Sequence, residues 1–166
     1  MGNHPRLLST GLATLAVVGY ALEIVLIGVA MFPGAWLCHL LWMRTAAAAM
    51  WIRILGVCMA GVAAYFLYGV ILILLVSLVR ILLRLRLREG AYPLFSLEAV
   101  TWAFSTALKS PVSMTFLNLL LLTPFAALFY RLMGAKIGRG VQINSKSCAD
   151  PLLLEIGDQS VIGGHA

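Results

Sequence analysis

The chain has 166 residues, 62% of them hydrophobic and 11% charged, with mean hydropathy +1.00 and a formal net charge of +6. A water-soluble globule runs about 45–50% apolar and about 25% charged, so this excess excludes an ordinary soluble domain and makes lipid the solvent for most of the chain. No aromatic-interleaved basic surface accompanies the positive charge, which argues against nucleic acid, and the scattered Cys38, Cys58 and Cys148 form neither a disulfide framework nor a metal-ligand pattern.

Residues 11–32, "GLATLAVVGYALEIVLIGVAMF", give 22 mostly apolar positions after Arg6. That is enough to span a bilayer and longer than the apolar stretch of a cleaved signal, which runs about 7–15 residues. Within it, Glu23 is an expensive carboxylate. Its functional reading is a proton relay or a hold on a cationic substrate; its structural one is a protonated group or a bond to a neighbouring helix. "PG" at 33–34 predicts a helix break. The stretch 35–53 mixes Trp36, Trp42 and Trp51 with Arg44 and Arg53, which predicts an interfacial hairpin.

From Ile54 to Val79 no residue is charged. A helix over these positions reaches roughly 39 Å, more than the ~30 Å hydrocarbon slab, and so tilts or projects. Gly56, Ala60 and Ala64 fall four apart, either as a helix-contact face or simply because small residues are common in membrane helices. Arg80, Arg84 and Arg88, with Arg86 between, predict a helix that continues past the apolar run until "EGAYP" ends it. Such a cationic end fixes orientation by snorkelling, or docks anionic headgroups or an acidic substrate.

"LFSLEAVTWAFSTAL", residues 94–108, opens with a capping "SLE" and keeps Glu98, Thr101 and Ser105 on a polar side, as an interfacial amphipathic helix does. Residues 112–130 are apolar again, interrupted by Pro124. With the N-terminus inside, spans at 11–32 and 54–79 put Arg80–Arg88 on the cytoplasmic side. Keeping Arg131, Lys136 and Arg139 there too makes 92–130 a shallow or re-entrant hairpin rather than a third crossing. The expectation is a multi-pass membrane region over 1–133.

The tail changes character. It falls into sixes, "IGRGVQ", "INSKSC", "ADPLLLE", "IGDQSV" and "IGGHA", led by Ile137, Ile143, Ala149, Ile156 and Ile162 and followed by Gly138, Asn144, Asp150, Gly157 and Gly163. One extra residue stands in the third unit. Neither a helix nor a half-buried strand has this period. One aliphatic per six with a turn-tolerant residue after it suits a triangular solenoid, each short strand sending its aliphatic into a narrow core. The expected fold is thus an α-helical integral membrane region followed, over 134–166, by the start of a left-handed parallel β-helix. Its core residues are Ile137, Ile143, Ile156 and Ile162.

The hexapeptide pattern resembles that of the left-handed β-helix transferases, many of them acyltransferases using acyl-CoA. Residues 130–166, together with "GAYPLFS" at 90–96, are similar to membrane-linked members of that group. These include the C-terminal membrane region of nonribosomal-peptide-synthetase-like proteins such as poly-lysine synthetase. The resemblance implies acyl-CoA or another acyl donor as substrate, no tightly bound cofactor or metal, a homotrimer, and a histidine as general base. His165 is the only tail residue matching that last role. Residues 137–166 make fewer than two coils where such transferases stack several, and a bare solenoid end is unfavourable. The expectation is therefore the N-terminal part of a longer protein, or partner chains that complete the stack. The function expected is acyl transfer to a hydroxyl or amine at the cytoplasmic face of the bilayer. The alternatives are a non-catalytic membrane scaffold assembling through its β-helix stub and, on Glu23 and the arginines alone, a small transporter component.

Overall fold

A computed structural model describes residues 4–93, 96–146, 148 and 150–164, with side chains from Thr14 onward except Leu15. The structure is mostly helical, and two of its helices are long and apolar enough to cross a membrane.

Helix α1, His4–Arg44, runs without interruption through Pro33. This corrects the expected break at 33–34. A proline removes one backbone hydrogen bond, whereas a break in the helix frees several backbone polar groups at once, so the continuous helix is cheaper. Gly34 serves packing instead: a Cβ there would stand 2.7 Å from the Ala64 Cβ. The stretch 35–53 is likewise not a separate interfacial hairpin. It is the end of α1, a turn at 45–49, and the start of α2, Met50–Leu82. Arg53 lies over the Trp42 ring at 3.9 Å and donates to the Trp42 carbonyl at 3.3 Å, tying the two helices together beside the turn.

Helices α1 and α2 thus form a long antiparallel hairpin. Gly56 faces Leu41, Ala60 is buried and Ala64 meets Gly34, so the small-residue stripe lies along the helix contact. Small side chains allow this approach, and dispersion at close range supplies the attraction that lipid cannot.

Helix α2 does not continue along the arginines. The Leu85 N–H bonds back to the Arg80 carbonyl (3.2 Å) and the Arg84 N–H to the Ile81 carbonyl (3.1 Å). Arg84 takes the left-handed conformation at φ 49°. This is a Schellman-type stop built without glycine, at a backbone cost of roughly 1–2 kcal/mol.

Helix α3, Leu97–Thr115, starts as its sequence says, with the Ser96 hydroxyl accepting from the Ala99 N–H at 3.1 Å. It passes Pro111 and ends against the middle of α2. There Tyr65 donates to the Thr115 carbonyl, the Tyr68 and Thr115 hydroxyls lie 3.0 Å apart, and Phe116 rests on Gly69. A short turn of helix, α4 (Leu117–Leu120), follows, and α5 (Pro124–Leu132) runs back. Pro124 opens α5 at its first turn, where a missing N–H costs nothing, with Thr123 as cap. The return reaches Arg80, whose Nη1 donates to the Leu132 carbonyl at 3.0 Å. Tyr68 and Arg80 are separated by about 18 Å of helix, so α3 to α5 form a hairpin that climbs along α2 and comes back to its end.

Past Gly134, which ends α5 at φ 104°, the chain makes four two-residue strands: β1 Lys136–Ile137, β2 Gln142–Ile143, β3 Glu155–Ile156 and β4 Val161–Ile162. β1 pairs with β3 and β2 with β4, both parallel, with Ile137 beside Ile156 and Ile143 beside Ile162. Lys136 and Glu155, 19 positions apart, meet at 3.0 Å on the outside. Among the described residues the β structure amounts to these two parallel pairs, short of the left-handed β-helix expected over 134–166. Ile143 and Ile156 are buried with Val141, Phe129 and Tyr130, in one apolar core continuous with Leu72 and Val76 of α2.

Candidate functional site

Two places gather polar chemistry. The first is the junction between the helices and the tail. Tail carbonyls there accept from cationic and hydroxyl donors of α3 and α5. Lys109, buried on α3, sends its ammonium to the Cys148 carbonyl. The Tyr130 hydroxyl of α5 donates to the Ser145 carbonyl at 3.3 Å. The Trp102 indole donates to the Asp150 carboxylate, and Arg131 donates to the Ile137 carbonyl at 3.0 Å and to the Gly138 carbonyl. Charged donors make the stronger of these bonds; those of Lys109 and Tyr130 satisfy carbonyls inside the junction, whereas those of Arg131 and Trp102 lie at its exposed rim.

Burial lowers the Lys109 pKa, opposed by Cys148 and Asp150 nearby. Burial likewise raises that of the Tyr130 phenol, with Cys148 adding to the rise. For Lys109 the folded chain binds its proton less tightly than the unfolded chain does. Its contribution to stability is therefore least below the folded pKa and grows as pH rises through that value toward the ordinary 10.5. Thermal unfolding in detergent is expected to show this rising limb in the native protein and a flatter profile in Lys109→Met. An identical pH slope in the two would contradict it.

The second place is a groove between α1 and α3, of about 410 Å³. Glu23 and Tyr20 line one wall and Thr106 and Ser110 the other, with Gly19, Phe104 and Ala107 completing it. The Thr106 hydroxyl is buried and, among the described residues, has no hydrogen-bond partner. A smaller cavity of about 280 Å³ lies between α5 and the turn before β2, bounded by Thr123, Arg131 and Gly140.

The structure distributes the residues singled out in the sequence over different surroundings. Glu23 faces the hydroxyls of α3, and among the described residues no arginine lines its groove. Arg80 turns inward to Leu132, while Arg84, Arg86 and Arg88 are exposed beyond the helix end. Ile137 and Ile156, and Ile143 and Ile162, stand side by side. His165 lies outside the described residues, as do Leu94 and Phe95 of "GAYPLFS". Among the described residues no three His, Cys, Asp or Glu side chains come close enough to hold a metal ion.

Lys109, Trp102 and Tyr130 were not singled out by sequence, and Asp150 was read only as a turn residue of the repeat. The one signal was a lysine inside an apolar-faced helix, a position where burial requires an acceptor. What that acceptor would be, a carbonyl 39 positions along the chain, had no local signature.

Comparison with protein-family models, with curated proteins and with solved structures gave no match to this chain.

Proposed function

We propose that this chain is a membrane-anchored hexapeptide-repeat transferase, or a portion of one, that moves an acyl group from acyl-CoA or a related donor to a hydroxyl or amine. The observation that carries the proposal is the parallel pairing of strands 19 positions apart with isoleucine beside isoleucine. One coil of a three-sided solenoid with six residues per side takes about 18 residues, and the extra residue in "ADPLLLE" brings the repeat to the observed spacing. Residues 134–166 are accordingly the opening of a left-handed β-helix of the kind such transferases share.

On this reading the α1–α2 hairpin spans the bilayer twice. The α3–α5 hairpin enters alongside α2 and returns, so the coil lies on the cytoplasmic side with Arg80–Arg88. The return of α5 to Arg80 supports that arrangement. His165 is the general base in the proposal, taking the proton from the acceptor as the thioester is attacked.

A scaffold that assembles with partner chains is the second reading, and one observation favours it. Outward-facing strand positions carry Lys136, Gln142 and Glu155, but on β4 the equivalent residue is Val161, 67% exposed. An apolar side chain in that place suits contact with another chain.

Membrane vesicles of both orientations separate these readings, because acyl-CoA does not cross a bilayer. The transferase reading expects acceptor-dependent release of free CoA thiol in inside-out vesicles alone, reduced about 100-fold or more in His165→Ala. Absence of release in either orientation, with cross-linking of the chain to partners, would establish the scaffold instead. Release in right-side-out vesicles would reverse the proposed sidedness.

A further inference from the structure

We infer that the groove between α1 and α3 is a binding site for a single-chain amphiphile with a primary ammonium head. The ammonium meets the Glu23 carboxylate and donates to the Thr106 and Ser110 hydroxyls, and the alkyl chain lies along Ala103, Phe104 and Ala107. The inference rests on the membrane placement of α1 and α3 proposed above, but not on acyl transfer.

The charge pattern selects the head. Among the described residues Glu23 is the single charged one lining the groove, and it makes no ion pair or hydrogen bond with any of them. A carboxylate in so apolar a setting is costly unless it is paired, and a cation with N–H donors is the natural partner. The Thr106 oxygen on the facing helix has no hydrogen-bond partner among the described residues, and rotation about its Cα–Cβ bond turns it from its buried position to the groove, where it accepts from such a donor. A quaternary ammonium has no N–H to give it, and an anionic head is repelled by Glu23. A hard divalent cation needs about six oxygen ligands, more than one carboxylate and a few hydroxyls supply.

Size and setting select the tail. At about 410 Å³ the groove falls within the roughly 300–1,000 Å³ range of small-molecule sites. Its walls are small or aromatic apolar residues, and it lies against a helix long and apolar enough to cross a membrane. An alkyl chain leaving the groove between α1 and α3 therefore enters lipid rather than water.

Isothermal titration of the full chain in nonionic detergent with decylammonium tests this directly. Saturable binding is expected, weakened about tenfold or more in Glu23→Gln and about 2- to 10-fold in Thr106→Val. Both variants should unfold at the temperature of the native protein. Decyltrimethylammonium, decanol and ethylammonium should each bind more weakly than decylammonium. Equal binding by decanol would overturn the role of charge, equal binding by ethylammonium would overturn the role of the chain, and equal binding by the quaternary salt would overturn the hydroxyl contacts. No binding at all, or binding indifferent to Glu23→Gln in a normally folded variant, would overturn the site itself. Acyl-transfer activity does not enter the readout, so failure here and failure of the transferase reading are separate outcomes.

Discussion

Gly69→Ala is expected to loosen the seat of the α3–α4 corner on α2, lowering stability by about 1–3 kcal/mol. The added Cβ would stand 2.3 Å from the Phe116 ring, well inside contact distance. Neither side yields easily. Gly69 is in the interior of α2, and Phe116 is fully packed, with Tyr65 and Phe66 set edge-on to its ring. Displacing the ring also pulls on Thr115, which holds the hydroxyls of Tyr65 and Tyr68. The thermal unfolding midpoint in detergent should fall, and Gly69→Ala combined with Phe116→Ala should recover part of the loss relative to Phe116→Ala alone. Independent, additive effects of the two substitutions would show that Phe116 is not the obstacle.

Gly138→Ala is expected to open the pair β1–β3. A Cβ at 138 would come within 2.3 Å of Asp158 Oδ1, and within 2.6 Å of its backbone nitrogen and 2.8 Å of its Cα. A side-chain oxygen can rotate away, but the backbone of the next layer cannot. The Lys136 and Gly138 N–H groups, bonded to the Leu154 and Ile156 carbonyls at 2.9 and 2.8 Å, would lose their partners. A local cost of about 1–3 kcal/mol speeds exchange of those amides roughly 5- to 150-fold. Gly157→Ala is the matched control. It also follows a leading isoleucine, yet its Cβ would meet only Ser160 Oγ at 4.0 Å. Equal exchange rates in the two variants would mean that the layers are not stacked at Gly138.

These two glycines show how unevenly sequence reports its constraints. Gly138 follows a leading isoleucine within a repeat and was legible as a turn residue. Its tight contact with Asp158 is a matter of register between layers, set by the extra residue in "ADPLLLE". Gly69 sits in a charge-free run and resembles any small residue of a membrane helix. Only the arrival of Phe116, 47 positions later, makes it irreplaceable. The site residues divide the same way. Glu23 was conspicuous because a carboxylate in lipid is conspicuous wherever its helix packs, whereas the hydroxyls that face it belong to a helix whose docking no local pattern specifies.

By itself the sequence determined what depends on near neighbours. It set the highly apolar composition, the two long apolar segments, the Ser96 cap of α3 and the six-residue rhythm of the tail, whereas Pro124, read as an interruption, opens α5. The tertiary structure decided what depends on distant ones. Pro33 stays helical within a continuous α1 whose Gly34 packs closely against Ala64 of α2. Arg84 takes a glycine's conformation where the chain turns off α2, with the Leu85 N–H bonded back to the Arg80 carbonyl. The tail docks on α3 and α5 through donors that meet it only when the chain folds back: Lys109 and Tyr130 reach the Cys148 and Ser145 carbonyls inside the junction, while Trp102 and Arg131 reach the Asp150 carboxylate and the Ile137 carbonyl at its exposed rim.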